Sequence, residues 1–360
     1  MLDLDAITSQ VIQNCHIADS HHAGLHSICG LALRLRDLYK WEKGLDPWVE
    51  EDSSKILEWI GDREEKWEEL SEKEFNQITI LDRGFDPFDT RGINTMIEPY
   101  GLFYGAGYVH SLRPTFVLAI LEEKKTIDNY PVYIIGRELA RDLLTFPALS
   151  QEDHILIRRE SAKHFFWNQM FFIKNSGRDA LRFALESHGL KEQDPETLRR
   201  NLSGIFAAEM ETYIYHELGE IKDTVFDRHL WRDMIATFPH TPIELFARIV
   251  KDLLADTNEY GRLRYIARGR KTSSLAFYVA FLDGLTKELF SELLEAFPEF
   301  RQTQNWQVIE QAISSGYRTA KGYAETISHI YRTGKQKDDM KWAEEEIKKH
   351  LLVPLGIVSA

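Results

Sequence analysis

The chain has 360 residues, of which 43% are hydrophobic and 28% are charged, and its formal net charge is −13. This composition is typical of a globular protein with one large core or two domains, and it excludes fibrous and disordered classes. The acidic balance argues against proteins that wrap nucleic acid or lie on anionic membranes, because both need clustered lysine and arginine. We therefore expect no nucleic-acid partner and no membrane partner.

The N-terminal residues and the cysteines bear on the cellular compartment. The first ten residues, MLDLDAITSQ, contain no apolar signal region, and nowhere do 18 apolar residues follow one another. The cysteines are Cys15 and Cys29 alone, from which no disulfide framework can be inferred. Reduced thiols and a cytoplasmic location are the simplest expectation.

The first 70 residues are predicted to form two helices. One covers residues 6–41, with a break near Ser20 left open, and ends before Gly44 and Pro47, and the other covers residues 53–70. The second half of the first helix has one apolar stripe at helical spacing. Its members are Leu25, Ile28, Leu31, Ala32, Leu35 and Leu38.

The opposite face of this helix carries a candidate zinc site. His22, His26 and Cys29 recur at the i, i+4, i+7 spacing, with Asp19 beside them. Zinc would need a fourth ligand in good geometry, because structural zinc sites are four-coordinate. The alternative is a histidine-rich helix face that packs against another element through hydrogen bonds to its backbone.

The amino-acid composition changes after the second predicted helix. Residues 75–111 are rich in glycine and proline and predict loops and short irregular structure. Residues 115–122 and 130–136 are rich in branched side chains, and the polar KKTIDN between them predicts a β-hairpin. Residues 138–144 and 155–174 are interpreted as helix.

The predicted fold class is therefore mainly α, a multi-helix bundle with a minor β-hairpin in the N-terminal half. We place an N-terminal helical domain with the small hairpin at residues 1–150. A C-terminal helical bundle follows at residues 151–360 and contains the candidate site.

The predicted helix over residues 202–221 carries charge on the face where a buried helix has apolar side chains. At about 100° per residue, Glu209, His216 and Glu220 fall within roughly 40° of one another, among apolar neighbours. A carboxylate removed from water needs a cation, a hydrogen-bond network or a metal. This face therefore predicts a buried polar site.

The next predicted helix starts at Pro242 and adds carboxylates to the same region. Its apolar arc includes Asp256, with Asp252 and Glu259 flanking it, while Lys251 projects elsewhere. Three carboxylates at i, i+4 and i+7 repel one another unless a cation compensates them. Carboxylates and imidazoles that point inward from facing helices suit iron or manganese. We therefore predict one shared buried site that binds iron or manganese.

Two alternatives to a metal site stay open. The acids can pair with arginines of the following segment, which would make the polar core a structural element of a non-enzymatic interaction or scaffold protein. His216 can also form a metal-free acid/base site with Glu209 or Glu220. The zinc-protease motif H-E-x-x-H is excluded, because Glu220 replaces its second histidine. The arginines are Arg262, Arg264, Arg268 and Arg270.

The spacing of Glu209 and His216 resembles that of the heme-oxygenase-like diiron proteins, all-helical oxidases and oxygenases that take a Glu and a His from one helix. In that family a later helix supplies a carboxylate and histidines one turn apart. The resemblance implies Glu325 and His329 for these positions, and Glu259 as the nearest counterpart of the middle ligand.

The resemblance covers about residues 203–332 and departs from the family pattern at Lys321, where another histidine is expected. The whole chain is also similar to a family of bacterial cytoplasmic proteins of unknown function, which implies no mechanism. The combined hypothesis is a metal-dependent oxidoreductase that acts on a small organic substrate, with a homo-oligomer left open. Its candidate ligands are Glu209, His216, Glu220, Asp252, Asp256, Glu259, Glu325 and His329.

Overall fold

The computed structural model describes residues 2–109, 112–151, 154–191 and 194–359, with the side chain of Arg228 left out. The chain folds into two compact units, Met1–Phe171 and Phe172–Ala360. None of the helices within the described ranges combines the length and the apolar run that crossing a bilayer requires.

The first unit combines helices with an antiparallel two-stranded sheet and a mixed five-stranded sheet. Its helices are α1 (Leu4–His22), α2 (Ile28–Glu42), α3 (Ser53–Leu70), α4 (Thr90–Ile97) and α5 (Arg159–Phe171). Its strands are β1 (Ile78–Ile80), β2 (Arg83–Phe85), β3 (Leu102–Val109), β4 (Arg113–Ile127), β5 (Tyr130–Arg141), β6 (Ala148–Gln151) and β7 (His154–Arg158).

The predicted mainly α fold with a minor hairpin is wrong. Strands β3 to β7 form a curled five-stranded sheet in the order β3-β4-β5-β7-β6, and β1 pairs with β2 in a separate ribbon. The strands lie in the middle of the chain. The predicted hairpin is present as β4 and β5, joined through Asp128 and Asn129, which both have positive φ as a two-residue hairpin turn requires.

Two properties of the sequence concealed the sheet. Strand β3 contains Gly105, and a Cβ added there would lie 2.9 Å from Val117 Cγ1 on the paired strand β4, so this glycine permits close packing within a strand. Strand β7 pairs in parallel with β5 and is buried along its whole length. A short strand that is buried on both faces has no alternation that would distinguish it from a helix.

Helix α1 packs its apolar face on the five-stranded sheet. Ile7, Val11 and Cys15 of this helix are buried against Tyr104 and Phe116 of strands β3 and β4. The rest of the predicted N-terminal helix is separate, because a short 3-10 turn at Ala23–Leu25 lies between α1 and α2. Both cysteines are free thiols, one buried and one exposed.

The second unit is built from helices throughout its described residues. They are α6 (Arg178–Ser187), α7 (Pro195–Lys222), α8 (Arg228–Thr237), α9 (Pro242–Thr257), α10 (Arg262–Arg268), α11 (Thr272–Phe281), α12 (Gly284–Leu289), α13 (Ser291–Thr303), α14 (Trp306–Lys337) and α15 (Met340–Ile347). The predicted start of α9 at Pro242 is confirmed, with the side chain of Thr241 accepting a hydrogen bond from Glu244 N at 3.3 Å.

Candidate functional site

Helices α7 and α9 approach each other closely at a glycine. A Cβ added to Gly219 of α7 would lie 2.1 Å from Ala255 O of α9 and 3.0 Å from Gly261 Cα. Asn258 Nδ2, just after α9, donates a hydrogen bond to Gly219 O at 2.8 Å. Because no side chain separates the backbones here, polar residues one turn away on both helices come together.

Three of the predicted ligands form a group at this crossing, which we call the His–Glu–Asp trio. One ligand atom each from His216, Glu220 and Asp252 lies within 4.8 Å of the other two, and all three residues are partly buried. Atoms bound at about 2.1 Å to a common ion lie roughly 3 to 4 Å apart. Small side-chain rotations would therefore bring the trio to coordination distance.

Asp256 lies behind the imidazole of the trio. His216 Nδ1 donates to Asp256 Oδ1 at 2.8 Å, and Tyr278 Oη donates to Asp256 Oδ2 at 2.9 Å. A carboxylate that accepts from Nδ1 fixes the tautomer and leaves Nε2 as the ligand atom, as in many metal centres. Asp256 thus orients His216, whereas the prediction made it a ligand.

The buried charges perturb one another strongly. Burial opposes a charge on His216, but the adjacent Asp256 carboxylate raises the pKa of the imidazole to about 10. Burial would also raise the pKa of Asp256, yet the charge of His216 holds it below its usual value. Burial raises the pKa of Asp252 to about 6. In the absence of a metal, the histidine therefore carries a proton that neutralises part of the acidic cluster.

A lysine also reaches the trio, contrary to the helical projection. Lys251 Nζ donates to Glu220 Oε1 and lies 5.1 Å from the centroid of the Trp231 ring. The long lysine stem lets the ammonium group reach around α9, which a projection of Cβ positions does not capture. This contact supplies a protein cation to one of the three ligands.

Glu209 lies outside the trio, two turns earlier on α7. The residue is 1% exposed, and Oε1 accepts a hydrogen bond from Ser274 Oγ at 2.8 Å. His188 Nε2 lies 3.9 Å from the same oxygen. Within the described residues, Oε2 has no hydrogen-bond partner. Burial raises the pKa of this carboxyl to about 7, with the hydrogen bond from Ser274 opposing the shift.

This burial predicts a pH dependence of stability that Glu209→Gln should remove. The folded-state pKa of about 7 exceeds the ordinary value of 4.5, so the carboxyl stabilises the fold while protonated, and that stability is lost as pH rises from 4.5 to 7. At pH 8 the variant should exceed the wild type by about 3 kcal/mol in free energy of unfolding, and the difference should fall to about 1 kcal/mol near pH 5 and vanish below about pH 4. Urea titrations across this range measure it.

The matched control is Glu325→Gln, since that carboxylate is 62% exposed beside Lys321. Its free energy of unfolding should differ from that of the wild type by the same amount at every pH. A constant offset between Glu209→Gln and the wild type from pH 5 to pH 8 would contradict a raised pKa at Glu209.

The structure does not bring the remaining predicted ligands to the trio. Glu259 follows the end of α9, is 75% exposed and lies 3.8 Å from Arg268. On α14, Glu325 lies 3.7 Å from Lys321 and His329 is exposed. The ligand positions implied by the diiron resemblance are therefore not assembled, and that resemblance is not supported.

The candidate zinc face in the first unit is not formed either. The 3-10 turn after α1 separates His22 from Cys29, which is exposed. His26 Nε2 lies 3.3 Å from Arg113 Nη1, and Asp19 is buried and accepts a hydrogen bond from Leu143 N. Among the described residues, the trio is the group of histidine and acidic side chains with metal-like spacing.

The predicted pairing of the acids with the arginines of residues 262–270 is found at one acid within the described ranges. Arg268 contacts Glu259, as above, and Arg270 lies 3.9 Å from Glu310, which belongs to α14. These pairs are exposed, where ion pairs contribute little to stability. Among the described contacts, the cations at the trio are His216 and Lys251.

A second buried polar group lies in the first unit and was missed from the sequence. Arg158 binds Glu138 through two hydrogen bonds, Nε to Oε1 at 2.9 Å and Nη2 to Oε2 at 3.0 Å, and neither side chain is exposed. Arg158 Nη1 donates to Leu144 O, and Ser161 Oγ donates to Glu138. The available signal is Arg158 itself, directly after the apolar residues 155–157, in a segment whose predicted structure is helix.

Two family models match the chain over most of its length. Residues 6–158 match the N-terminal domain, and residues 163–350 match the C-terminal domain, of a family described as "Family of unknown function (DUF6866)". No curated protein and no solved structure matches the chain. Any function therefore has to be inferred from the geometry of the site.

Proposed function

The chain belongs to the DUF6866 family of unknown function, and we propose that it is a metal-dependent enzyme that binds iron or manganese at the His–Glu–Asp trio. The spacing of the three ligand atoms, within 4.8 Å, carries the proposal. One imidazole and two carboxylates suit iron or manganese better than zinc, which more often takes several histidines or cysteines. The hydrogen bond from His216 to Asp256 supports it further.

The proposed reaction class is oxidation of a small organic substrate. Iron and manganese accept more ligands than three protein side chains supply, so positions remain for a substrate or dioxygen. When bound, such a metal would supply redox chemistry. The trio is partly buried and thus reachable from solvent, as a site that exchanges small molecules must be.

The proposal places the enzyme in a reducing compartment, with the cytoplasm as the natural choice. Both cysteines are free thiols, and Cys29 is exposed. Exposed thiols are typical of proteins that are kept reduced. A reducing environment would also keep iron in the divalent state that carboxylate and imidazole ligands bind.

A second candidate function is favoured by the contact between Lys251 and Glu220. If protein cations already compensate the acids, the polar core needs no metal and the chain is a structural or interaction protein. Buried ion pairs of this kind occur without catalysis. The two candidates differ in one measurable quantity, the metal content of the native protein.

Protein expressed with iron and manganese supplied should contain about one equivalent of metal per chain, and chelation should lower its melting temperature. His216→Ala and Asp252→Asn should each lose most of the metal, because each removes a ligand of the trio. His329→Ala is the control, since that histidine is exposed on α14. Elemental analysis and calorimetry measure these effects.

A metal content below about a tenth of an equivalent, with unchanged melting after chelation, would reject the metal site. The salt-bridged core would then be the better account. Equal metal contents in the wild type and in His216→Ala would instead show that the metal binds elsewhere.

A further inference from the structure

Arg262, the first residue of α10, lies between two aromatic rings. Its guanidinium carbon is 5.2 Å from the centroid of the Tyr213 ring and 5.3 Å from that of Tyr278. In the part of the chain that the structure describes, no ion pair or hydrogen bond holds this guanidinium, and its Nε is buried without a partner. Guanidinium groups stack well on aromatic faces while keeping their N–H groups available.

The two rings connect Arg262 to the proposed metal site. Tyr278 Oη donates to Asp256, which accepts from His216 of the trio. Tyr213 lies on α7, three residues before His216. The arginine is therefore one residue removed from the group that orients the metal-binding imidazole.

The neighbouring carboxylates of Asp256 and Glu209 do not bind the guanidinium of Arg262. Asp256 is shared between His216 and Tyr278, and Glu209 is held by Ser274. Both acids feel the charge of Arg262, yet neither forms an ion pair with it. A partly exposed arginine that is preorganised by aromatic rings and has unused donors is a receptor for a planar anion.

We propose that Arg262 binds the carboxylate of a small organic acid beside the His–Glu–Asp trio. This inference rests on the proposed function and names its substrate class. The planar fork of arginine matches a carboxylate with two parallel hydrogen bonds. A phosphate dianion fits less well, because Glu209 and Asp256 place negative charge nearby and a single arginine offers one positive charge.

The consequence for the enzyme is orientation of the substrate. An acid anchored at Arg262 would lie beside Tyr278, whose hydroxyl donates to Asp256, the carboxylate that orients His216 of the trio. Fixed placement of this kind contributes strongly to rate, since it removes the entropy cost of aligning the reactants. Arg262 is therefore assigned as a substrate-binding residue.

The test compares small carboxylates with their neutral amides. Acetate, succinate and benzoate are titrated into the metal-loaded protein by calorimetry, beside acetamide, succinamide and benzamide. Carboxylates should bind and amides should not. Arg262→Met should weaken carboxylate binding by about tenfold or more, and Arg262→Lys, which keeps the charge without the fork, should give an intermediate loss.

Arg268→Met is the matched control from the same helix, since Arg268 is 65% exposed and lies beside Glu259. Its carboxylate affinity should stay within about twofold of the wild type. Arg262→Lys retains the cation between the rings and guards against misfolding of the methionine variant. The comparison of acids with amides on the wild type needs no variant at all.

Equal carboxylate binding by the wild type and Arg262→Met would overturn the inference, as would phosphate binding tighter than that of every carboxylate. Metal content, measured in parallel, separates this result from failure of the proposed function. A metal-loaded wild type that binds no carboxylate overturns the inference alone. A metal-free wild type that binds carboxylates through Arg262 supports the anion site and rejects the metal enzyme.

Discussion

Replacing Arg158 by methionine is expected to lower the free energy of unfolding by about 3 kcal/mol. The change leaves the Glu138 carboxylate buried without its bidentate partner, in a place where neither side chain is exposed. Arg141 Nε lies 3.8 Å from Glu138 and retains part of the compensation, which sets the effect at the lower end for a broken buried pair. Urea unfolding monitored by hydrogen exchange in β5 and β7 reports on the first unit directly.

Two further variants make this expectation specific. Lys55→Met removes an exposed lysine that lies 3.4 Å from Glu51 and should change stability by less than about 0.5 kcal/mol. The double change Arg158→Met with Glu138→Gln should recover part of the loss, because the buried Glu138 carboxylate is then removed together with its bidentate partner. A loss no greater in Arg158→Met than in Lys55→Met would show that the buried pair contributes nothing.

The two helices that form the candidate site could be predicted because their signals are local. Thr241 caps α9 and is followed by Pro242, as predicted, whereas α7 begins at Pro195, seven residues before the predicted start at residue 202. Within α7, periodicity placed Glu209, His216 and Glu220 on one face. Local periodicity does not report the depth of each residue, however, and Glu209 lies in its own buried environment instead of in the trio.

What the sequence could not show depends on contacts between distant residues. The buried partner of Arg158 is 20 residues away on another strand, and the parallel pairing of β5 with β7 has no local signature. The predicted ligands Glu325 and His329 on α14 do not reach the trio for a similar reason. Glu325 has the spacing of a ligand, but its side of α14 faces solvent while Ala324 and Ile327 are buried.

Gly219→Ala is expected to affect both the stability and the site of the second unit. A Cβ at this position would lie 2.1 Å from Ala255 O, and a backbone oxygen cannot rotate away as a side chain can. The helices must separate, at a cost of about 2 to 3 kcal/mol of unfolding free energy. His216 and Glu220 on α7 would then move away from Asp252 on α9, so metal affinity should fall by about tenfold or more.

Gly204→Ala in the same helix is the matched control. Nothing lies within 4 Å of a Cβ added at Gly204, so the substitution should stabilise α7 by about 0.5 to 1 kcal/mol through helix propensity alone. Urea titration and metal titration of both variants separate the close approach of the helices from the general effect of glycine. If Gly219→Ala proved as stable as Gly204→Ala with unchanged metal affinity, the contact at Gly219 would not be what assembles the trio.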